Sequence, residues 1–301
     1  MYRGGEGLMV TPRDMARFGY LYLNRGVWDG RQIIPAAWVN ASTMDHISTG
    51  RQAYAGGKYG YQWWLGWIQS PGFYAASGYG GQYIFVIPEK NLVVVFTGEL
   101  STPNYDDVLP KALVDTYILP AAQSEHPLPA NPEAAGRLSE LIQTVSQPHP
   151  KHVAPLPAVA ARVSGKTYVF DANELDIQSF SMVFTEGADE AHLFWKVNDQ
   201  TMDLLVGLDD VFRLTKLDSL DTAALAEPEV YGINATEYSE FTTSIKGGWV
   251  SKIAFRMSFQ FLGYSFGNRM DFAFAQDGVD VRKANLVDNS VVTLHARPQS
   301  P

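Results

Sequence analysis

Cysteine is absent from this chain of 301 residues. The absence excludes disulfide bonds, thiolate catalysis and cysteine-ligated metal. It fits a protein that is exported without oxidative folding, and many cytosolic proteins also lack cysteine. Lys and Arg form no basic run, and the formal net charge is −9. A nucleic-acid surface needs clustered basic residues, so we expect no nucleic-acid partner. No apolar run reaches the length of a membrane span, so no span is expected either.

The composition is that of a globular protein. Hydrophobic residues make up 46% of the chain and aromatic residues 13%, which is enough to build substantial cores. The length favours about two domains. The first residues, Met1 to Gly7, lack the apolar region of a signal peptide. Because they open with glycines and lead straight into a helix start, we expect the chain to begin inside a larger domain.

The patterns in residues 1–119 predict an antiparallel meander with flanking helices. Residues Thr11–Asp14 supply the cap, the proline and the acidic residue of a helix start. A hairpin is predicted for residues 83–97, and its continuously apolar second strand is typical of a strand covered on both faces. Residues Val108–Ile118 have the spacing of a helix that could cover one of those faces.

The composition changes after residue 119. Prolines punctuate residues 120–158, which predicts a semi-rigid linker with one short helix near Glu133–Val145. Residues 159–301 carry closely spaced short strand patterns, Trp249–Met257 among them, and these predict an antiparallel barrel or sandwich. The predicted fold class is α+β: a partial domain built from the meander and its helices, followed by an all-β barrel domain.

The most informative segment is Tyr74–Pro88. It predicts a strand that ends in small residues, a turn through the Gly-rich run Ser77–Gly81, and a returning apolar strand. Glycines between two strands allow a close approach of the backbone to a ligand and expose its N–H groups. The segment is either an ordinary strand end or one wall of a site for acyl groups, and its setting favours the second interpretation.

Several stretches carry a resemblance to a known family. They are Gly4–Gly19, Gly26–Gly30 with Ile33–Val39, Tyr59–Trp64, and Tyr74–Pro88 with Asn91–Val95. In this order and spacing they resemble the serine hydrolases related to class C β-lactamases and penicillin-binding proteins. The resemblance covers roughly residues 4 to 119, and it implies the C-terminal part of such a domain.

The resemblance also implies motifs that this chain lacks. Enzymes of that family use a Ser-x-x-Lys nucleophile pair and a Tyr-x-Asn pair, because a serine needs a nearby base to lose its proton. No serine here is followed by lysine three positions later, and Thr243–Lys246 comes closest. Tyr22-Leu23-Asn24 has the letters of the second motif but ends a predicted scaffold helix. We therefore expect both motifs to precede Gly4 and the chain to be inactive alone.

A third motif of the family, often Lys-Thr-Gly or His-x-Gly, falls on Ala76-Ser77-Gly78 by its distance from Pro88. Alanine in place of lysine removes a cation that would attract a substrate carboxylate, which favours an esterase-like or nylon-oligomer-hydrolase-like branch. The resemblance implies catalytic roles for Ser77, Gly78 and Tyr79, with the N–H of Tyr79 as an oxyanion donor and Ser77 not the nucleophile. The expected substrate is a small-molecule ester, amide or peptide, with no cofactor and no metal.

Other candidates have simpler structural explanations. His149 and His152 are spaced like metal ligands but lie in the predicted linker, so solvated side chains are the better interpretation. His46 and Asp45 are expected to form a surface pair rather than a catalytic dyad. Three tryptophans could line a cleft, although core positions are more usual: Trp63, Trp64 and Trp67.

The second half resembles the lipocalin-like β-barrel that follows the catalytic domain in some of these hydrolases. The resemblance rests on Val163–Tyr168, Val206–Arg213 and Lys246–Trp249. Such a barrel would hold a small apolar ligand or, as we favour, shape the cleft. The alternative function is a non-catalytic binding module that uses the barrel. Expected partners are the missing N-terminal half of the catalytic domain or a second copy, and the family implies a periplasmic or extracellular location.

Overall fold

The structure is a computed structural model. It describes residues 8, 10–49, 57–66, 70, 72–78, 80–98, 108–173, 175–197, 200–217, 241–262, 267–286 and 290–300. These residues form two compact units, 1–130 and 131–301. The division falls inside the predicted linker 120–158, while the limits of the three predicted segments stay a prediction. No helix in the described part of the chain is both long and apolar enough to cross a membrane.

The first unit begins with helix α1 (Pro12–Leu23). Its predicted start is confirmed, because Thr11 Oγ1 accepts a hydrogen bond from the Asp14 N–H at 3.2 Å. The other elements are β1 (Val27–Trp28), β2 (Arg31–Gln32), α2 (Ala36–Ser42), β3 (Ile47–Ser48), β4 (Lys58–Tyr59), β5 (Trp64–Leu65), β6 (Tyr74–Gly78), β7 (Gln82–Ile87), a 3-10 turn (Pro88–Lys90), β8 (Leu92–Phe96), α3 (Val108–Leu113), a π-helical turn (Val114–Ile118) and α4 (Leu119–Ala121).

Strands β3 to β8 form one antiparallel sheet in chain order, which confirms the predicted meander. Strand β7 is buried on both faces, since successive side chains point to opposite sides of a sheet. One face packs against α1 and α2 through a core of Tyr22, Val39, Trp63, Leu65, Tyr74, Ile84 and Val86. The other face packs against residues 114–119 through Phe73, Ala75, Tyr83, Phe85, Ile87 and Val114. The predicted covering helix is thus present.

Helix α1 approaches the sheet closely at Gly19. A Cβ atom there would lie 2.7 Å from Val93 Cγ1 and 2.8 Å from Ile84 Cγ2, both closer than packed carbon atoms allow. Glycine therefore sets the distance between α1 and strands β7 and β8. Gly136, in an exposed helix of the second unit, has nothing within 4 Å of the same position.

The second unit is mostly β. Its elements are α5 (Pro132–Ser146), α6 (Ala158–Val163), β9 (Thr167–Phe170), β10 (Ile177–Val183), β11 (Glu190–Val197), β12 (Gln200–Gly207), β13 (Arg213–Leu217), β14 (Phe241–Trp249), β15 (Ala254–Phe261), β16 (Gly267–Phe274), β17 (Val279–Asn285) and β18 (Val291–Pro298). Helix α5 occupies the position of the predicted short helix.

These strands close into the predicted barrel. The sheet order runs β12-β11-β10-β9-β18-β17-β16-β15-β14-β13, and β12 also pairs with β14 through Gly207 and Lys246. That pairing closes a ring of nine strands, and β13 lies beside β14 as an additional strand. The inward side chains pack on one another, and the largest of them are fully buried: Trp195, Phe180, Phe255, Phe259 and Phe272.

One predicted strand was wrong. Residues Trp249–Met257 do not form a single strand, because β14 ends at Trp249 and β15 begins at Ala254. Between them Ser251 Oγ accepts hydrogen bonds from the N–H groups of Ile253 and Ala254 at 3.3 and 3.1 Å. A serine side chain that caps its own turn competes with strand pairing, and the apolar residues around it concealed this turn.

A charged network joins β11, β13, β14, the loop after β12 and the segment before α6. Arg213 donates to both carboxylate oxygens of Asp209 at 3.1 Å and to Glu190 Oε2 at 3.2 Å. Asp210 accepts from Lys246 Nζ at 2.6 Å and forms an ion pair with Lys151 Nζ at 2.5 Å. Hydrogen bonds from Lys151 and Lys246 lower the pKa of Asp210 to about 2.

We predict that Asp210→Asn weakens the acid dependence of the barrel's stability. The pKa of Asp210 in the folded protein, about 2, is below the ordinary value of 3.8. Its ion pairs therefore stabilise the fold above about pH 4, and this contribution is lost as the pH falls toward 2. Melting temperatures between pH 2 and 7 should show a lower plateau and a shallower acid fall in Asp210→Asn. Asp277→Asn, in an exposed turn, is the control; an equally shallow curve there would contradict the assignment.

The two helical glycines should respond to alanine with opposite signs. Gly19→Ala forces α1 away from the sheet and should destabilise the first unit by about 1–3 kcal/mol. Gly136→Ala adds a methyl group in open space on an exposed helix and should stabilise α5 by about 0.5–1 kcal/mol. Calorimetric melting checks the first change, and helical ellipticity checks the second. A Gly19→Ala protein as stable as the parent would disprove the close approach.

Candidate functional site

The predicted site segment forms the end of the β6–β7 hairpin. Ser77 lies opposite Tyr83 and Gly78 opposite Gln82. The connecting residues include Gly80 and Gly81, whose φ angles are +81° and +103°. Side chains rarely adopt such angles, so the turn needs glycine at both positions. Tyr79, the predicted oxyanion donor, lies outside the described residues.

One edge of the hairpin end has no neighbour within the described ranges. Strand β5 pairs with β6 only at Tyr74 and Ala75. Beyond that point Ala76, Ser77 and Gly78 pair with β7 alone, and they are half-exposed, whereas Tyr74 and Ala75 are buried. An unpaired strand edge presents N–H and C=O groups that can bind the backbone or carbonyl of a ligand.

Ser77 has no catalytic partner in the part of the chain that is described. Its Oγ forms no hydrogen bond there to a lysine, histidine or tyrosine that could take its proton. Tyr74, three residues earlier, is no candidate base, because burial raises its pKa and Tyr22 raises it further. The roles of Ser77 and Gly78 in a site therefore stay a prediction.

A residue that the sequence did not single out holds the hairpin end. Gln82 Nε2 donates a hydrogen bond of 2.6 Å to the carbonyl of Gly98, just beyond β8. The same side chain lies over Gly78, where a Cβ atom would be 3.4 Å from Gln82 Oε1 and 3.3 Å from Gln82 Cβ. Gln82 thus ties the β6–β7 turn to the end of the next strand. In the sequence, the only indication of this role of Gln82 is that an amide side chain directly follows two turn glycines.

The letters of the second motif belong to the scaffold, as predicted. Tyr22 is buried in the core beneath α1, with its ring 4.7 Å from that of Trp63. Asn24 ends the helix, and its Nδ2 donates to the Tyr20 carbonyl at 2.9 Å. Trp63 is likewise a core residue, only 2% exposed, so the cleft alternative is wrong for it. Trp64 packs partly buried on the opposite face, and Trp67 lies outside the described residues.

The remaining candidates are not assembled into a second catalytic site. His46 donates from Nε2 to the Ala41 carbonyl and stacks on Tyr61, while Asp45 pairs with Lys58 at 3.2 Å, so the expected His–Asp pair is absent. Thr243 is buried in the barrel, and its hydroxyl donates to the Thr215 carbonyl. His149 and His152 precede α6, and in the described ranges no three acidic or histidine side chains come together as metal ligands.

The comparison with known families concerns the first part of the chain. Residues 1–116 match the family model described as Beta-lactamase. The match covers less than half of the chain and falls within the first unit, so it describes that region: a β-lactamase-like domain of serine hydrolase character. It contains the hairpin end Ser77–Gly78 and the Gln82 contact. A search of curated proteins found no match to the chain.

We predict that Gln82→Leu destabilises the β-lactamase-like domain. The change removes the hydrogen bond to Gly98 and should cost about 1 kcal/mol of unfolding free energy. Gln123→Leu is the matched control, because Gln123 also donates to a carbonyl, that of Pro120, but only within its own exposed turn. Calorimetric melting should shift for Gln82→Leu and stay unchanged for Gln123→Leu; equal shifts would refute the role of Gln82.

Proposed function

We propose that residues 1–116 supply the substrate-binding wall of an acyl-transfer site of the serine hydrolase type. In this proposal the open edge of Ala76–Gly78 binds the acyl group of an ester, amide or peptide. The N–H of Tyr79 donates to the oxyanion, and the nucleophile belongs to polypeptide other than these 301 residues. The chain alone is then inactive.

The observation that carries this proposal is the pair of incomplete edges in the sheet. Strand β8 ends the sheet order, with β7 as its only partner among the described strands. All of its residues, Leu92–Phe96, are apolar and half-buried. Long apolar edges are usually covered or paired, because they otherwise associate with other chains. The exposed edge of β8 therefore favours pairing with further polypeptide at that end of the sheet. The unpaired edge of Ala76–Gly78, on the side of β6 away from β8, favours binding of a ligand.

The residues at the ligand edge also limit the substrate. Ala76 occupies the position where related enzymes often carry lysine, and its methyl group packs partly buried on the α1 face. It offers no positive charge to a substrate carboxylate. We therefore propose an uncharged ester or amide of the esterase-like or nylon-oligomer-hydrolase-like type rather than a β-lactam or a peptide with a free carboxylate. Half-exposed Ser77 then contributes a hydroxyl to binding.

The barrel gives weaker support to the alternative function. A binding module needs space for its ligand, yet the inward side chains of the described strands, Trp195 and Phe272 among them, pack against one another. We propose that this lipocalin-like unit acts through its surface. An exported, periplasmic or extracellular protein remains our proposal for location, and it rests on the resemblance to a family that is commonly exported.

The first test is hydrolysis of an activated ester, p-nitrophenyl acetate, by the 301-residue chain. We expect no turnover above the buffer rate, because no serine of the chain is followed by the lysine of a Ser-x-x-Lys pair. Turnover that disappears in Ser77→Ala would make Ser77 the nucleophile and overturn the proposal.

The second test uses the in-frame coding sequence upstream of Met1. We expect it to encode a Ser-x-x-Lys followed by Tyr-x-Asn, and the longer protein to hydrolyse the ester. In that protein Tyr79→Pro, which removes one N–H, should lower kcat by about a hundredfold or more. Tyr79→Phe retains the N–H and the ring and should stay close to the parent. A stop codon directly before Met1, or equal loss in both variants, would contradict the assigned roles.

A further inference from the structure

Three arginines surround a single carboxylate on the outer surface of the barrel. Arg256 on β15, Asp271 on β16 and Arg282 on β17 lie directly opposite one another in the sheet. Arg269 precedes Asp271 by two residues and therefore shares its face. The flanking side chains of β16, Met270 and Phe272, are buried in the barrel core, so this arginine cluster faces outward.

The contacts within the arginine cluster are unequal. Arg256 Nε donates to Asp271 Oδ1 at 2.6 Å. Arg269 Nε and Arg282 Nη1 lie 3.6 and 3.8 Å from Asp271 Oδ2, which is too far for hydrogen bonds. Arg269 Nε is also buried with no hydrogen-bond acceptor among the described residues. The guanidinium groups of Arg269 and Arg282 are thus attracted to the Asp271 carboxylate, but these nitrogens donate no hydrogen bond to it.

The charge of the cluster is opposite to that of the protein. Its three arginines and one aspartate sum to +2, in a chain whose net charge is −9. Apart from Asp271, the cross-strand neighbours of Arg269 and Arg282 are uncharged, namely Ser258, Ala284 and Thr293. Asp280, the next acidic residue on β17, is hydrogen-bonded by His295 Nδ1 at 2.8 Å. Within the four residues of the cluster the excess is two positive charges, and the three arginine side chains are 37–46% exposed.

We propose that the arginine cluster binds a phosphate dianion, either a free phosphate or the phosphate group of a monoester. Two negative charges balance the cluster, and the planar guanidinium groups of Arg269 and Arg282 donate to phosphate oxygens in pairs. Asp271 holds Arg256 in place and keeps the three side chains from repelling one another. The proposal does not depend on the acyl-transfer site, which lies in the other unit.

The test titrates inorganic phosphate into the full chain at low ionic strength, followed by calorimetry, with sodium chloride at equal ionic strength as the reference. We expect one saturable site for phosphate and none for chloride. Arg269→Gln and Arg282→Gln should each weaken binding by about tenfold, as expected for the loss of charge-assisted hydrogen bonds. Asp271→Asn should bind more tightly, because the cluster then carries one more net positive charge.

The matched control is Arg297→Gln. Arg297 is an outward arginine of the same barrel, and it pairs one-to-one with Asp171 at 2.5 Å, so its loss should leave binding unchanged. Sedimentation with vesicles that contain phosphatidic acid separates the two sources. Phosphate-competed sedimentation indicates a lipid headgroup, and phosphate binding without sedimentation indicates a soluble phosphate. Neither kind of binding, equal weakening by Arg297→Gln, or weaker binding by a folded Asp271→Asn protein would overturn the proposal.

Discussion

The antiparallel register of β6 and β7 is the constraint on which the first unit depends. It sets Ala75 opposite Phe85 and Ala76 opposite Ile84, so that alternating residues enter two different cores. A slip of one residue would exchange the faces and place the side chains of the slipped strand in the wrong core. The same register leaves Ser77 and Gly78 at the open end of β6, so burial elsewhere in the sheet positions the candidate site.

The barrel depends on the packing of its interior and on the closure of its ring of strands. Its interior is filled by aromatic side chains, and it closes where β12 meets β14 at Gly207 and Lys246. Two residues after Gly207, Asp209 is almost fully buried. Burial raises its pKa, but hydrogen bonds from Arg213 outweigh this, and the pKa is lowered overall. A buried carboxylate requires such pairing. In the described strands the inward apolar side chains pack against one another, so we look to the outer surface of this unit for ligand binding.

Local sequence patterns predicted much of the fold. The Thr11 cap, the meander, the covering helix near residues 108–118 and the barrel class all follow from periodicity and turn residues over short distances. The Gln82–Gly98 contact and the arginine cluster did not, because Gln82 and Gly98 are 16 positions apart, Arg256 and Asp271 are 15 apart, and their meeting depends on strand register. The Ser251 turn was missed since apolar neighbours concealed it. Ser77 and Gly78 were found from a resemblance, and their catalytic roles, with that of Tyr79, stay predictions.

The central claim is that Ser77–Gly78 forms a binding wall while the nucleophile lies in other polypeptide. Labelling with a fluorophosphonate, which reacts with activated serines, tests this most directly when the modified residue is mapped by mass spectrometry. The account predicts no label within residues 1–301 of the isolated chain, and label on the serine of a Ser-x-x-Lys in the protein that includes the upstream frame. Label on Ser77 in either protein would contradict it.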